Sequence, residues 1–240
     1  MCKGAQDMRS HASQKSDGNP KLARLVRIPF TDWTTAMTHL RTPLSTWILW
    51  GIFALPGFAF TYAALTSDSA RVFHDLLHPT GEFSARFLIV AMMATPLAML
   101  LKGWRGPQWL KKNRRYLGVA AFGYAALHTV FYLIDRSGLD PVLSDLPRFY
   151  IWTGWLAFLI FVPLAVTSND WFQRRMGTWW KWLQRWTYAA AVLTLLHWAA
   201  LHDWGGVAPA LVHFLPLTLL ELYRVWYWTL RRRPAVAVEA

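Results

Sequence analysis

Residues Tyr116–Ile134 read YLGVAAFGYAALHTVFYLI, nineteen positions without one charged side chain. A helix of that length rises about 28 Å at 1.5 Å per residue, close to the roughly 30 Å hydrocarbon thickness of a bilayer. Five further stretches repeat the pattern: Trp47–Leu65, Phe83–Leu101, Phe149–Thr167, Trp186–Asp203 and Val207–Tyr223. Arg86 lies in the first turn of the second and Glu221 near the end of the last, so their bounds are looser. The expectation is an all-α integral membrane protein, a bundle of six transmembrane helices over residues 47–228. A polar, partly disordered tail is expected over 1–46 and a short tail over 229–240.

Composition agrees. Of the 240 residues 55% are hydrophobic and 16% charged, against about 25% charged in soluble domains, and mean hydropathy is +0.21. A net charge of +12 could signal a nucleic-acid binder, but placement excludes that class. Of the 25 Lys and Arg residues, 21 fall in the N-terminal tail, the loops after spans 2 and 4 and the C-terminal end. By the positive-inside rule those regions are cytoplasmic, so both termini lie inside and spans 1, 3 and 5 run outward. Basic loops of this kind touch anionic lipid.

The single cysteine, Cys2, excludes a disulfide framework and a covalent haem attachment motif. MCKGAQDMRS lacks the apolar core of a signal peptide, so no segment is expected to be removed. No Gly-x-Gly-x-x-Gly follows a strand pattern, and no extramembrane stretch is long enough for a nucleotide-binding domain.

Two histidines stand inside spans, where ionisable residues are costly and functional by default. His128 is twelve residues into the third span and His197 eleven into the fifth, so both lie roughly 17 Å from the cytoplasmic end. With the two spans parallel, the imidazoles share a depth in the outer half. Each alone reads as an interhelical hydrogen bond. As a level pair they suit the two faces of a planar haem, with Ala121 and Ala125 on the His128 face and Ala190 and Thr194 on that of His197. His74 and His78 sit at i, i+4 spacing in the outer loop HDLLHPTG and read as a metal or propionate contact, or as a solvated loop helix. His202 lies at the outer interface and His213 in the last span, outside the pairing logic.

His78–Gly81 (H-x-T-G), ATPLA before the basic loop, RRYLG, AALH ending at His128, LAVTS, RRMGTWWKWLQRWTY and LLHW at His197 follow one another over roughly residues 70–204. In this order they resemble the haem-binding membrane subunits of the protein-methionine-sulfoxide reductase system, within the ferric-reductase-like transmembrane family. The resemblance implies a b-type haem with His128 and His197 as axial ligands of the iron. It also implies an inner-membrane electron relay, from the quinol pool or a cytoplasmic flavin reductase to a periplasmic molybdopterin enzyme that reduces methionine sulfoxide. The chain itself would perform no chemistry on methionine. That family usually carries another histidine thirteen residues before the position of His197; here it is Gln184, and Arg115 stands thirteen before His128. No inner bis-histidine pair can be built, so one haem is expected.

An upright haem directs its propionates outward, and Arg86, Arg148 and His78 are candidate partners, the arginines equally suited to snorkelling toward lipid headgroups. A quinol diffusing in the membrane is the simplest donor. Trp179, Trp180, Trp182 and Trp186 could border a flavin, FMN, although interfacial anchoring accounts for them first. Two rival functions stay open: a membrane reductase of ferric or cupric ions, and a haem-free transporter or assembly protein whose histidines only bridge helices.

Overall fold

The computed structural model describes residues 43–231, and most of the two expected tails lies outside them. The chain divides into two units, Met1–Ile48 and Leu49–Ala240; apart from the first turns of one helix, everything below concerns the second. The described residues form ten helices and no strand: α1 Pro43–Thr66, α2 Val72–Leu100, α3 Arg105–Arg136, α4 Leu139–Asp145, α5 Phe149–Val166, α6 Asp170–Met176, α7 Thr178–Gln184, α8 Thr187–Ala199, α9 Leu201–Trp204 and α10 Val207–Trp226, closed by a π turn at Tyr227–Arg231.

Four of them, within Thr46–Thr66, Val72–Leu100, Arg105–Arg136 and Phe149–Val166, are long and apolar enough to cross a membrane. Their outward faces carry large apolar side chains, such as Phe58 and Leu159, at exposures no aqueous surface sustains in such number. Lipid is the solvent those faces require.

Helix α8 has only 13 residues, but it does not stand alone. Arg185 and Trp186 keep helical dihedrals, and their N–H groups bond three residues back, to Trp182 and Leu183. Such tightened turns join α7 to α8. Helix α10, 20 residues long, reaches about 30 Å and exposes Leu211, Val212, Leu215, Leu219 and Leu222.

Several sequence boundaries shift: α3 starts at Arg105 rather than Tyr116, taking in much of the expected basic loop, and α8 stops at Ala199 rather than Asp203. The stretch from His74 to Gly81, expected as an outer loop, is the opening of α2, which runs through Pro79. Arg86 consequently lies mid-helix rather than in a first turn. At 29 residues α2 spans about 43 Å, more than the hydrocarbon, so its polar first turns need not be immersed.

Helices α2 and α3 pack as one antiparallel hairpin and α5 and α8 as another, with α10 against α2 and α8. The shared core interleaves Ala85, Ala121, Ala190, Ala191 and Ala210 with Leu88, Phe161, Phe214 and Leu217. In lipid, where the hydrophobic effect no longer drives helices together, such small residues allow close approach.

Candidate functional site

Each hairpin supplies one imidazole. His128 comes from α3 and His197 from α8, with ring centroids 6.3 Å apart and planes at 84°. Nδ1 of His128 donates to the Leu77 carbonyl of α2 at 2.9 Å, and Nδ1 of His197 donates to the Tyr150 carbonyl of α5. A carbonyl only accepts, so the proton sits on Nδ1 in both rings. Nε2 of each then keeps its lone pair for a metal, the tautomer that metal-ligating histidines adopt.

Spacing, lining and chemistry of this pair fit a haem. Metal–imidazole bonds of about 2.0 Å on opposite faces of one ion set ring centroids about 6 Å apart. Two cavities, of about 100 and 400 Å³, are each lined by both histidines. Ala125, Trp155, Phe158 and Phe161 give the smaller an apolar wall, while His78, Glu82, Arg136, His202 and Asp203 reach the larger. The apolar smaller cavity suits the body of a macrocycle, and in the larger one Arg136 is the guanidinium that could meet an anionic edge, beside the carboxylates Glu82 and Asp203.

The candidate propionate partners part company. His78 lines the larger cavity, 4.0 Å from Glu82. Arg86 does not line it: its guanidinium bonds Glu82 and donates to Nε2 of His213 at 3.4 Å. Arg148 is also engaged elsewhere, 3.0 Å from Asp145 and 3.3 Å from the Tyr150 hydroxyl. Arg136 lines the wall although its Nε lies 3.0 Å from Asp145, and sequence reasoning passed over it because it ends a span where a snorkelling arginine is ordinary.

His213 is held by Arg86 and tilted against Trp198 at 4.8 Å, away from the pairing, as its position suggested. His202 and Asp203 reach the larger cavity through left-handed backbone, φ 54° and 55°, in the tight connection between α8 and α10. Non-glycine residues pay roughly 1–2 kcal/mol for that conformation.

Toward the other end, Gln184 donates to the Leu164 carbonyl at 3.3 Å and approaches Thr167 Oγ1 at 3.4 Å. Arg115 is taken up by Asp170 and Gln173. Both positions that would carry an inner histidine pair hold side chains bonded to the neighbouring helix ends. Trp180 donates Nε1–H to the Thr167 carbonyl, while Trp179, Trp182 and Trp186 are exposed and stack edge to face in series.

The partner groups of the two imidazoles were missed at the sequence level. Thr80–Gly81 lay within the quoted H-x-T-G, but the matching Thr153–Gly154 passed as ordinary span residues. A search for a repeated Thr-Gly pair in the helix preceding each histidine span would have found both.

Residues 80–195 match the family described as ferric reductase like transmembrane component. Three similar proteins carry the name protein-methionine-sulfoxide reductase heme-binding subunit MsrQ. The one from Ralstonia nicotianae is 35% identical over 167 residues, 66% of this chain and 74% of the relative. The one from Herminiimonas arsenicoxydans is 35% identical, covering 64% and 72%, and that from Agrobacterium fabrum 34%, covering 65% and 72%. No solved structure matches the chain.

Proposed function

This chain belongs to the MsrQ family of haem-binding membrane subunits, and we propose that it holds one b-type haem between His128 and His197 and passes electrons outward to a methionine-sulfoxide reductase. The observation that carries this reading is the His128–His197 pair, 6.3 Å between centroids, each ring tied by Nδ1 to a helix carbonyl. The haem would supply one-electron transfer.

The residues do the holding and the insulating. The Leu77 and Tyr150 carbonyls fix ring direction and leave both Nε2 atoms as ligands. Phe158, Phe161 and Trp155 keep water from the inner edge. Arg136 and His78, both on the wall of the larger cavity, would be the groups to hold the propionates.

Six crossings with both termini inside suit the charge distribution and the turn bonds that link α7 to α8. The pair then lies in the outer half, on the side of a periplasmic molybdopterin acceptor. The engaged side chains of Gln184 and Arg115 argue for a single haem, so the donor must reach deep into the bilayer. A membrane quinol meets that need more directly than a soluble flavin reductase, and the exposed tryptophans near Gln184 read as interfacial anchors rather than an FMN border.

The test is reconstitution of the protein in vesicles with quinol and the secreted reductase subunit of the same genome. Quinol-dependent reduction of methionine sulfoxide, abolished in His197→Ala, is the expected result. Haem that ferric or cupric ions oxidise rapidly while the reductase subunit leaves it reduced would point instead to a metal-ion reductase.

A further inference from the structure

We propose that Gly81 and Gly154 are matched positioning residues, each leaving the space in which one imidazole reaches the helix carbonyl four residues upstream; the proposal rests on the reading of His128 and His197 as haem ligands.

The chain carries the same device twice. Leu77-His78-Pro79-Thr80-Gly81 on α2 faces His128, and Tyr150-Ile151-Trp152-Thr153-Gly154 on α5 faces His197. In each copy the first residue's carbonyl accepts the imidazole Nδ1–H, across sequence separations of 51 and 47 residues. In each copy the threonine is wholly buried, and its hydroxyl is shared between two carbonyls of the preceding turn: Thr80 stands 2.7 Å from Leu76 O and 3.0 Å from Leu77 O, and Thr153 stands 2.9 Å from Phe149 O and 3.1 Å from Tyr150 O. The fifth position lacks a Cβ.

That lack is what the imidazole occupies. A Cβ on Gly81 would stand 3.1 Å from Nδ1 and 3.2 Å from Cε1 of His128, so the ring would have to yield by a few tenths of an ångström. A Cβ on Gly154 would stand 2.7 Å from Nδ1 and 2.9 Å from Cε1 of His197, closer than carbon atoms pack, and the ring would have to move. Each contact falls on the edge that makes the carbonyl hydrogen bond. Gly118 and Gly123 on α3 differ, for a Cβ on either meets nothing within 4 Å.

The consequence reaches the iron. A hydrogen bond from Nδ1 to a carbonyl raises the basicity of Nε2 and fixes ring orientation. A more basic ligand stabilises the ferric state over the ferrous state. Displacing the ring weakens this donor and lengthens or tilts the metal bond. The reduction potential then moves positive and the low-spin character of a two-imidazole haem declines. A glycine needed only for helix packing would shift neither.

The experiment uses the full-length, haem-loaded protein with Gly81→Ala, Gly154→Ala and, as control, Gly118→Ala. Midpoint potential is read by redox titration and spin state by visible and electron paramagnetic resonance spectra. The expected result is a positive shift with partial high-spin conversion, larger in Gly154→Ala than in Gly81→Ala and absent in Gly118→Ala. If Gly154→Ala fails to accumulate, Gly81→Ala carries the test, because its clash is mild. Wild-type potential and spin state in Gly81→Ala and in any recoverable Gly154→Ala would overturn the proposal. A wild-type protein without a two-imidazole spectrum would overturn the haem reading itself, and that outcome is visible before any glycine is changed.

Discussion

The Tyr124 hydroxyl stands inside the backbone ladder at Gly57: it accepts the Gly57 N–H at 2.8 Å and donates to the Phe53 carbonyl at 2.8 Å. Those two backbone groups, four residues apart, would otherwise bond each other. Pro56 has already loosened this turn, having no N–H to offer. The inserted hydroxyl ties α1 to α3, and the Tyr124 ring stacks on Phe83 of α2 at 5.3 Å.

Tyr124→Phe lets the Gly57 and Phe53 groups re-pair and so loses only the link between helices, about 1 kcal/mol. Thermal unfolding in detergent should register a lower midpoint, with the haem spectrum unchanged because the hydroxyl touches neither imidazole. An unaltered midpoint would mean that α1 is held by other contacts.

Asp145 gathers the adjoining ends of three helices. Its buried carboxylate lies 3.0 Å from Arg136 Nε and 3.0 Å from Arg148 Nη1, and accepts from the Tyr132 hydroxyl at 3.3 Å. Asp145→Ala removes the bond from the Tyr132 hydroxyl and leaves Arg136 Nε without its counter-charge, and should cost about 1.5–3 kcal/mol, the worth of one hydrogen bond to a charged group. Denaturant or thermal titration reads the loss; a shift no larger than for a surface alanine substitution would count against this clamp.

The pair Arg115–Asp170 gives a pH dependence. Arg115 donates to the Asp170 carboxylate and carries the opposite charge, which holds that carboxyl below its ordinary value. A group more acidic in the folded state stabilises the fold above its unfolded pKa, and the contribution fades as pH falls through the lowered value. The wild type should therefore melt above Asp170→Asn at pH 7, with the gap closing below about pH 4. A gap that stays constant into acid would assign the difference to something other than this charge.

Topology can be read with reporters. A phosphatase fused after Arg231 should be inactive and a fluorescent protein at the same place bright, whereas a phosphatase inserted between α1 and α2, near Asp68, should be active. The inverse pattern would place both termini outside and put the histidine pair nearer the cytoplasm.

Much of this was legible in the chain itself. The run Tyr116–Ile134 marks the apolar part of α3, which starts earlier at Arg105, and counting residues along two parallel spans brought His128 and His197 level, because helix rise is constant. Helix starts were harder: α2 begins at Val72 rather than Phe83, since a polar amphipathic opening leaves no mark in hydropathy. The hydrogen-bond partners of the imidazoles are backbone carbonyls, which every residue has, so only the glycines beside them leave a trace. The propionate side misled for a related reason. Charge alone cannot tell Arg86 and Arg148, which stand off the cavity, from Arg136, which shares Asp145 with Arg148 yet lines the wall.

The central claim is that His128 and His197 are the two axial ligands of one haem, and its most direct test is the dithionite-reduced minus oxidised visible spectrum of purified protein, with haem counted per chain. The account predicts one low-spin haem in the wild type and its loss from both His128→Ala and His197→Ala. A colourless wild type expressed with haem available, or full haem occupancy in both variants, would contradict it.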